Sequence, residues 1–145
     1  MKFFSLAILA FFIINGNWET DMVKARQRAH EEHKFILLGF SGSDWCIPCI
    51  RLHKQLLETA EFQQYADSNL VLVQADFPRL KKNQLSRDQQ KKNESLAEKY
   101  DPQGSFPLTL LLDEEGKVLK TWEGFIDLSP QQFIEQLKTV RGASY

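Results

Sequence analysis

The two cysteines of this 145-residue chain, Cys46 and Cys49, lie two residues apart in the stretch SGSDWCIPCIRLHK. A Cys-x-x-Cys pair forms a redox-active dithiol, half of a metal site or a small structural disulfide. A disulfide across so short a segment closes almost no loop and stabilises a fold little. A structural zinc site needs four ligands, and His53 is the nearest residue that could join the cysteines. The pair therefore favours a redox-active dithiol, and we expect no metal and no cofactor beyond the Cys46–Cys49 disulfide itself.

Around the dithiol the sequence changes from an apolar run to a helical pattern. Residues 34–40 have the length and composition of a buried strand, and a polar turn follows them. From Cys46 onward, apolar residues recur at helical spacing, and Pro48 suits the first helical turn. Backbone N–H groups at a helix start stabilise a thiolate, so we expect Cys46 to have a lowered thiol pKa and to be the nucleophile. Cys49, one turn further on, is then the resolving thiol, and His53 is expected to be a half-buried helix residue.

The overall composition is typical of a single globular domain. The chain is 43% hydrophobic and 26% charged, with a formal net charge of -1. That charge gives no support to nucleic-acid binding, which requires a basic surface. Residues 3–14 are uncharged and almost entirely apolar, which predicts a secretory signal peptide over residues 1–17, or else an uncleaved membrane anchor. We therefore expect a domain at residues 18–145 that is exported, for example to the periplasm.

The rest of the sequence predicts an α/β domain. Short apolar runs predict further strands at residues 69–77, 108–113 and 117–122. Helical patterns cover residues 19–33, a segment capped by Thr59, the end of the polar stretch 79–100, and residues 129–140. Strand–helix–strand units predict parallel pairing, and the last two strands predict an antiparallel hairpin. The expected fold is a mixed central sheet with helices on both faces.

Two stretches resemble the thioredoxin superfamily. They are DWCIPC, residues 44–49, and SFPLTLLLDEEGK, residues 105–117. The order of elements agrees as well, and the resemblance covers residues 18–140. FSGSDWC and LVLVQADFP are similar to the exported bacterial thioredoxin-like group that includes DsbH-type disulfide reductases and the C-terminal domain of DsbD. The resemblance implies a thioredoxin fold and activity on protein disulfides.

The resemblance also implies a substrate groove beside the dithiol. Pro107 is expected to be a cis proline that faces the cysteines, and Phe106 to pair its backbone with an extended substrate. Trp45 is expected to flank the reactive sulfur, and Gly124 to lie in a third loop of the groove. Ile47 and Pro48, between the cysteines, complete the expected substrate-binding residues.

One expected feature of the family is missing from the sequence. Thioredoxins usually place a buried aspartate behind the dithiol as a proton acceptor for the resolving thiol. Gly39 or Phe40 stands at the nearest matching position, and Gln74 stands where a lysine often pairs with that aspartate. The usual proton route is therefore in doubt for this chain.

The residues between the cysteines indicate the direction of electron flow. Pro48 resembles the reducing thioredoxins, whereas strong oxidants of the superfamily carry a histidine in this pair. Ile47 is apolar and offers the thiolate no stabilisation. We therefore expect a monomeric reductase or isomerase that acts on client proteins with disulfides and is recharged by a membrane electron donor of DsbD type. The alternative is a non-enzymatic peptide-binding or chaperone module that uses the same groove.

Overall fold

The computed structural model describes residues 17–144 as five helices around a four-stranded sheet. The predicted signal peptide or anchor lies almost wholly outside these residues. Within them, no helix has the length and hydrophobicity that a membrane crossing requires. The elements are α1 (Met22–Glu32), β1 (Phe35–Ser41), α2 (Ile47–Leu52), α3 (Ala60–Asn69), β2 (Leu70–Asp76), α4 (Arg87–Tyr100), β3 (Leu108–Leu112), β4 (Val118–Glu123) and α5 (Pro130–Gly142).

The sheet has the strand order β2-β1-β3-β4. β1 pairs with β2 in parallel and with β3 antiparallel, and β3 forms an antiparallel hairpin with β4. The parallel pair is joined through α2 and α3, as a strand–helix–strand unit requires. The predicted mixed sheet and its antiparallel hairpin are both confirmed.

Side chains that alternate along the strands divide the core into two layers. On one face, Leu37 and Leu111 pack with buried residues of α2, α3 and α5. On the other face, Ile36, Leu38 and Phe40 pack with Ala25 and Ala29 of α1 and with partly buried residues of α4. Successive strand residues point to opposite faces of a sheet, so helices cover both faces, as the sequence predicted.

The first helix begins later than its pattern predicted. Asp21 is its N-cap, and its side chain accepts hydrogen bonds from the N–H groups of Val23 and Lys24. Such a cap satisfies backbone donors that have no partner within the helix. Glu19, predicted to be helical, instead pairs with the outer edge of β2, donating its N–H to the carbonyl of Leu72 at 2.8 Å.

The helix that follows the dithiol changes its geometry after one and a half turns. α2 continues as a single π-helical turn over His53–Leu57, in which the N–H of Glu58 bonds the carbonyl of His53 at 2.8 Å. Thr59 then caps α3, as predicted. The predicted capping box of α5, formed by Ser129 and Gln132, is present.

Strand pairing brings three loops to one end of the sheet. Because β1 and β3 are antiparallel, Phe40 near the end of β1 pairs with Leu108 at the start of β3. The hairpin in turn places Glu123, the last residue of β4, opposite Leu108. The loop that enters α2, the segment before β3 and the segment after β4 therefore lie side by side.

The aromatic cluster that includes Phe133 of α5 gives a test of core packing. Phe133 is fully buried, with its ring centroid 5.8 Å from that of Phe62 and 5.0 Å from that of Trp122. We expect Phe133→Ala to lower the free energy of unfolding by about 3–5 kcal/mol, because it leaves a cavity. Urea denaturation measures this, and Val23→Ala, at a residue 78% exposed, should change stability by less than about 0.5 kcal/mol. Equal effects of the two changes would contradict this packing.

Candidate active site

Cys46 and Cys49 form a disulfide at the start of α2, with their Cα atoms 5.2 Å apart. Cys46 is the N-cap of the helix, and its Sγ accepts a hydrogen bond from the N–H of Cys49 at 3.3 Å. Cys46 is 5% exposed and Cys49 is completely buried. The prediction that a helix begins just after Cys46 and carries Cys49 to a deeper position is confirmed. A negative charge on the Cys46 sulfur would be stabilised by that N–H and by the helix dipole.

Trp45 is held rigidly beside the dithiol. Its indole N–H donates to the carbonyl of Phe77 at 2.7 Å, and its ring meets that of Phe106 edge-on at 5.7 Å. The Arg79 guanidinium lies 3.6 Å from the centroid of the Trp45 ring, a cation–π contact. A Cβ added to Gly42 would lie 2.3 Å from the indole, so only glycine leaves room for this ring. Sequence reasoning missed both Arg79 and Gly42.

Asp44 ties the segment after β2 to the dithiol loop. Its carboxylate accepts hydrogen bonds from the N–H groups of Arg79 and Leu80 at 2.9 and 3.0 Å and from the Asn83 side chain at 3.0 Å. These bonds, led by that of Arg79, hold the pKa of Asp44 below its usual value. The link fixes the backbone of Arg79, whose guanidinium covers Trp45.

The predicted groove residues lie in the loops next to the dithiol. The Phe106–Pro107 peptide bond is cis, as the resemblance implied. The N–H of Gly124 donates to the carbonyl of Pro107 at 2.8 Å, and Gly124 has a φ of 76°, a conformation that favours glycine. Ile47 is 67% exposed, and Pro48 beside it is also exposed. The roles of these residues in substrate binding stay predictions.

A solvent-open cavity of about 200 Å³, lined mostly by polar residues, lies behind Cys49. Its lining includes Ser41 at the end of β1, Gln74 of β2 and His53. Gly39 and Phe40, the two positions expected behind the dithiol, prove to lie on opposite faces of the sheet, because successive residues alternate. Phe40 is buried in the core layer against α1, so it has no part in this cavity.

His53 lies half-buried on the helix that carries the dithiol, as expected. Its ring centroid is 5.4 Å from that of Trp18. Burial lowers the pKa of His53 below its ordinary value of 6.5, although the charges of Glu58 and Asp76 act in the opposite direction. The imidazole is therefore neutral near pH 7.

Within residues 17–144, neither cysteine belongs to a cluster of three side chains that could hold a metal ion. The cluster found there, formed by His30, Glu114 and Glu115, lies on other elements. In it, the His30 ring contacts Glu114 at 3.1 Å, and Glu115 forms an ion pair with Arg26 at 3.2 Å. Each of the three side chains therefore already has a pairing partner in the protein.

Comparison with known proteins places this site in a family. The family model described as "Thioredoxin-like domain" matches residues 22–141. The chain therefore belongs to the thioredoxin-like family, and it has the fold that the sequence resemblance implied.

Within this family the chain is similar to proteins of the DsbH type. It is 39% identical to the Chlamydia pneumoniae protein "Disulfide bond reductase DsbH" over 105 residues, which cover 72% of this chain and 61% of that protein. It is 31% identical to "Thioredoxin-related protein DsbJ" of the same organism, but the match covers only 27% of that relative and 68% of this chain. The alignments thus span less than two thirds of either curated relative.

Solved structures agree with this assignment. The structure titled "DsbH Oxidoreductase" superposes with a TM-score of 0.77 at 33% identity, covering 86% of this chain and 83% of that one. The oxidised C-terminal domain of Neisseria meningitidis DsbD superposes with a TM-score of 0.55 at 20% identity, covering 81% and 90%. The second likeness concerns the fold alone.

The Asp44 link can be tested by hydrogen exchange. We expect Asp44→Ala to speed amide exchange at Arg79 and Leu80, because their N–H groups lose a carboxylate acceptor. Mass spectrometry or NMR measures this in peptides covering residues 78–84. Asp127→Ala, which changes an exposed aspartate in another loop, is the matched control. Unchanged exchange in Asp44→Ala would show that the segment is held by other contacts.

Proposed function

We propose that this protein is a thiol-disulfide oxidoreductase that acts on protein disulfides outside the cytoplasm and favours their reduction or isomerisation. The observation that carries the proposal is the arrangement of the two sulfurs. The Sγ of Cys46 caps a helix and accepts the N–H of Cys49, while Cys49 is wholly buried beneath it. This arrangement supports the proposal that Cys46 attacks and Cys49 resolves.

The proposed reaction is a two-step exchange. The Cys46 thiolate attacks a client disulfide, forms a mixed disulfide and releases one client thiolate, which takes up a proton. Cys49 then loses its proton and attacks Cys46 Sγ, which forms the Cys46–Cys49 disulfide and releases the second client thiol. The client gains two electrons and two protons, and the protein dithiol is oxidised.

The neighbouring loops supply the proposed contacts to the client. The proposed role of Phe106, which precedes cis Pro107 and the start of β3, is to pair its backbone with an extended client peptide. The side chains of Trp45 and Ile47 and the backbone around Gly124 complete this groove. The exposed Ile47 offers an apolar contact next to the reactive sulfur.

The proposed direction rests on the residues between the cysteines. Neither the Ile47 nor the Pro48 side chain offers the Cys46 thiolate a charge or a hydrogen bond, so the reduced form gains no extra stabilisation beyond the helix start. The name of the relative DsbH, a disulfide bond reductase, agrees with this direction. A reductant of this kind outside the cytoplasm needs a source of electrons, and we propose a membrane donor of DsbD type.

The redox potential and client turnover test the proposal. We expect equilibrium with glutathione to give a potential nearer that of thioredoxin, about −270 mV, than that of DsbA, about −120 mV. Insulin reduction should be lost in Cys46→Ser, because the attacking sulfur is gone. A potential of about −120 mV would contradict the reductive bias. Unchanged turnover in Cys46→Ser would remove the catalytic role and favour the peptide-binding alternative.

Ile47 gives a second test of the proposed direction of electron flow. We expect Ile47→His to raise the potential by about 30 mV or more, since this corresponds to a tenfold shift toward the dithiol. The cause is the imidazole, which can stabilise the neighbouring Cys46 thiolate by charge and hydrogen bonding. Ile47→Gln, polar but uncharged, is the control and should shift the potential less. No difference between the two variants would show that the residue after Cys46 does not set the potential.

A further inference from the structure

The resolving cysteine has to lose a proton although its own side chain has no surface exposed to bulk water. A thiolate is the attacking species in disulfide exchange, yet Cys49 is completely buried. Its proton therefore has to pass to a neighbouring group or to water in the cavity that Cys49 lines. The cavity behind Cys49 is the space into which it can pass.

The cavity is large enough to hold water, and its lining includes polar groups that could bind it. Its volume of about 200 Å³ exceeds the roughly 10–15 Å³ of comparable space that one water molecule needs. The hydroxyl of Ser41, which lines the cavity, is buried and has no hydrogen-bond partner in the part of the chain that the structure describes. A buried hydroxyl without a partner is unfavourable, and water in the cavity would supply one.

The sheet beneath the cavity explains why the space exists. Gly39, Ser41 and Gln74 lie on the same face as Leu37 and Leu72, which is the face that α2 covers. A Cβ added at Gly39 would meet no atom closer than the Val73 carbonyl oxygen, at 4.0 Å. Of these residues, Ser41 and Gln74 line the cavity, and the small Ser41 side chain leaves room behind the dithiol.

His53 is the base that shares this cavity with Cys49. The two residues are four positions apart on one helix, so their side chains lie on the same face, and both line the cavity. The helix widens into its π-helical turn at His53, a geometry that is frequent at functional sites. Burial keeps the pKa of His53 below 6.5, so the neutral ring is free to accept a proton.

The other ionisable groups near His53 are poorly placed to take this role. Asp76 faces it from β2, but its carboxylate accepts bonds from Ser43, at 2.9 Å from N–H and 2.6 Å from the hydroxyl. Glu58, which follows the π-helical turn, is exposed, and Lys54 at the cavity rim is a cation rather than a base. Trp18, which packs on the ring, carries no charge.

We propose that His53 accepts the proton of Cys49 through water held in this cavity by the Ser41 hydroxyl. In the step that resolves the mixed disulfide, the Cys49 S–H bond breaks and its proton passes to the neutral imidazole. The sulfur's electron pair forms the bond to Cys46 Sγ, and the bond between Cys46 and the client sulfur breaks. The client thiolate leaves with the electron pair and takes a proton from solvent, to which His53 returns its own. His53 thus accepts the proton in the resolving step. The inference rests on the proposed function.

A two-phase reaction with an aromatic disulfide separates the two steps. One equivalent of 5,5′-dithiobis(2-nitrobenzoate), mixed with the reduced protein in a stopped-flow instrument, releases one coloured thiolate when Cys46 attacks and a second when Cys49 resolves. We expect His53→Gln to slow the second phase by about tenfold or more, the effect of losing a general base. The first phase should be unchanged, and Ser41→Ala should slow the second phase to a smaller extent. His30→Gln, an exposed histidine on α1, is the control and should match the wild type.

The pH dependence separates a proton acceptor from a packing residue. In the wild type, the second phase should slow as the pH falls below 6.5 and His53 becomes protonated. This step should be absent in His53→Gln. Glu58→Gln should move it to lower pH, because the charge of Glu58 raises the pKa of His53. A merely structural change would slow the reaction equally at every pH.

Two outcomes would overturn the inference. One is a second phase in His53→Gln with the wild-type rate, and the other is a slowing that keeps the wild-type pH step. Cys49→Ser distinguishes a failure of the His53 inference from a failure of the proposed function. This variant should lose the second phase whatever the proton acceptor is. If Cys46→Ser still releases the first thiolate at the wild-type rate, the proposed function itself fails.

Discussion

The antiparallel pairing of β1 with β3 determines where the chemistry of this protein takes place. β1 runs toward the dithiol and β3 runs away from it, so the end of one strand lies beside the start of the other. The helix that carries the cysteines and the cis-proline segment therefore meet without any long connection. Since both strands are buried on both faces, a shift in their register would expose core side chains. The packing of the sheet thus maintains the geometry of the site.

Polar contacts hold in place the loops that the sheet brings to the active site. The Asp44 carboxylate orders the segment after β2, and that segment supplies both the carbonyl that anchors Trp45 and the guanidinium that covers it. On the opposite side, by contrast, there is an open cavity, and the Ser41 hydroxyl has no hydrogen-bond partner among residues 17–144. The two sides of the dithiol therefore differ: on one side Trp45 is packed and hydrogen-bonded, and on the other a cavity can hold water.

Much of this arrangement could be predicted from the sequence. The Cys-x-x-Cys after an apolar strand predicted the helix start, and the capping box at Ser129 predicted α5, because these signals are local. The fold followed from the order of strands and helices together with the family resemblance. Asp44, Arg79 and Gly42 were missed, because their contacts join segments more than thirty residues apart or depend on one close approach to an indole.

The position behind the dithiol shows a different limit. Aligning the motif left Gly39 and Phe40 as alternatives, because a difference of one residue changes the face of the sheet on which a side chain lies. Only the register with β2 shows that Ser41 and Gln74, not Phe40, face the helix. The aspartate missing from the motif raised the question of which group lies behind the dithiol. The residues that line the cavity could be identified only from the three-dimensional structure.

The π-helical turn after α2 has a consequence for how this site tolerates insertions and deletions. A π turn holds one more residue than an α turn, so it rotates everything beyond it by about 100° around the helix axis relative to a regular α-helix. With that rotation, Leu56 and Leu57 are both buried while His53 still lines the cavity. The loss of one residue between His53 and Leu57 would restore a regular α-helix. The rotation that buries the two leucines in the core would then differ from the rotation that keeps His53 in the cavity. The length of this turn is therefore as constrained as the spacing of the cysteines.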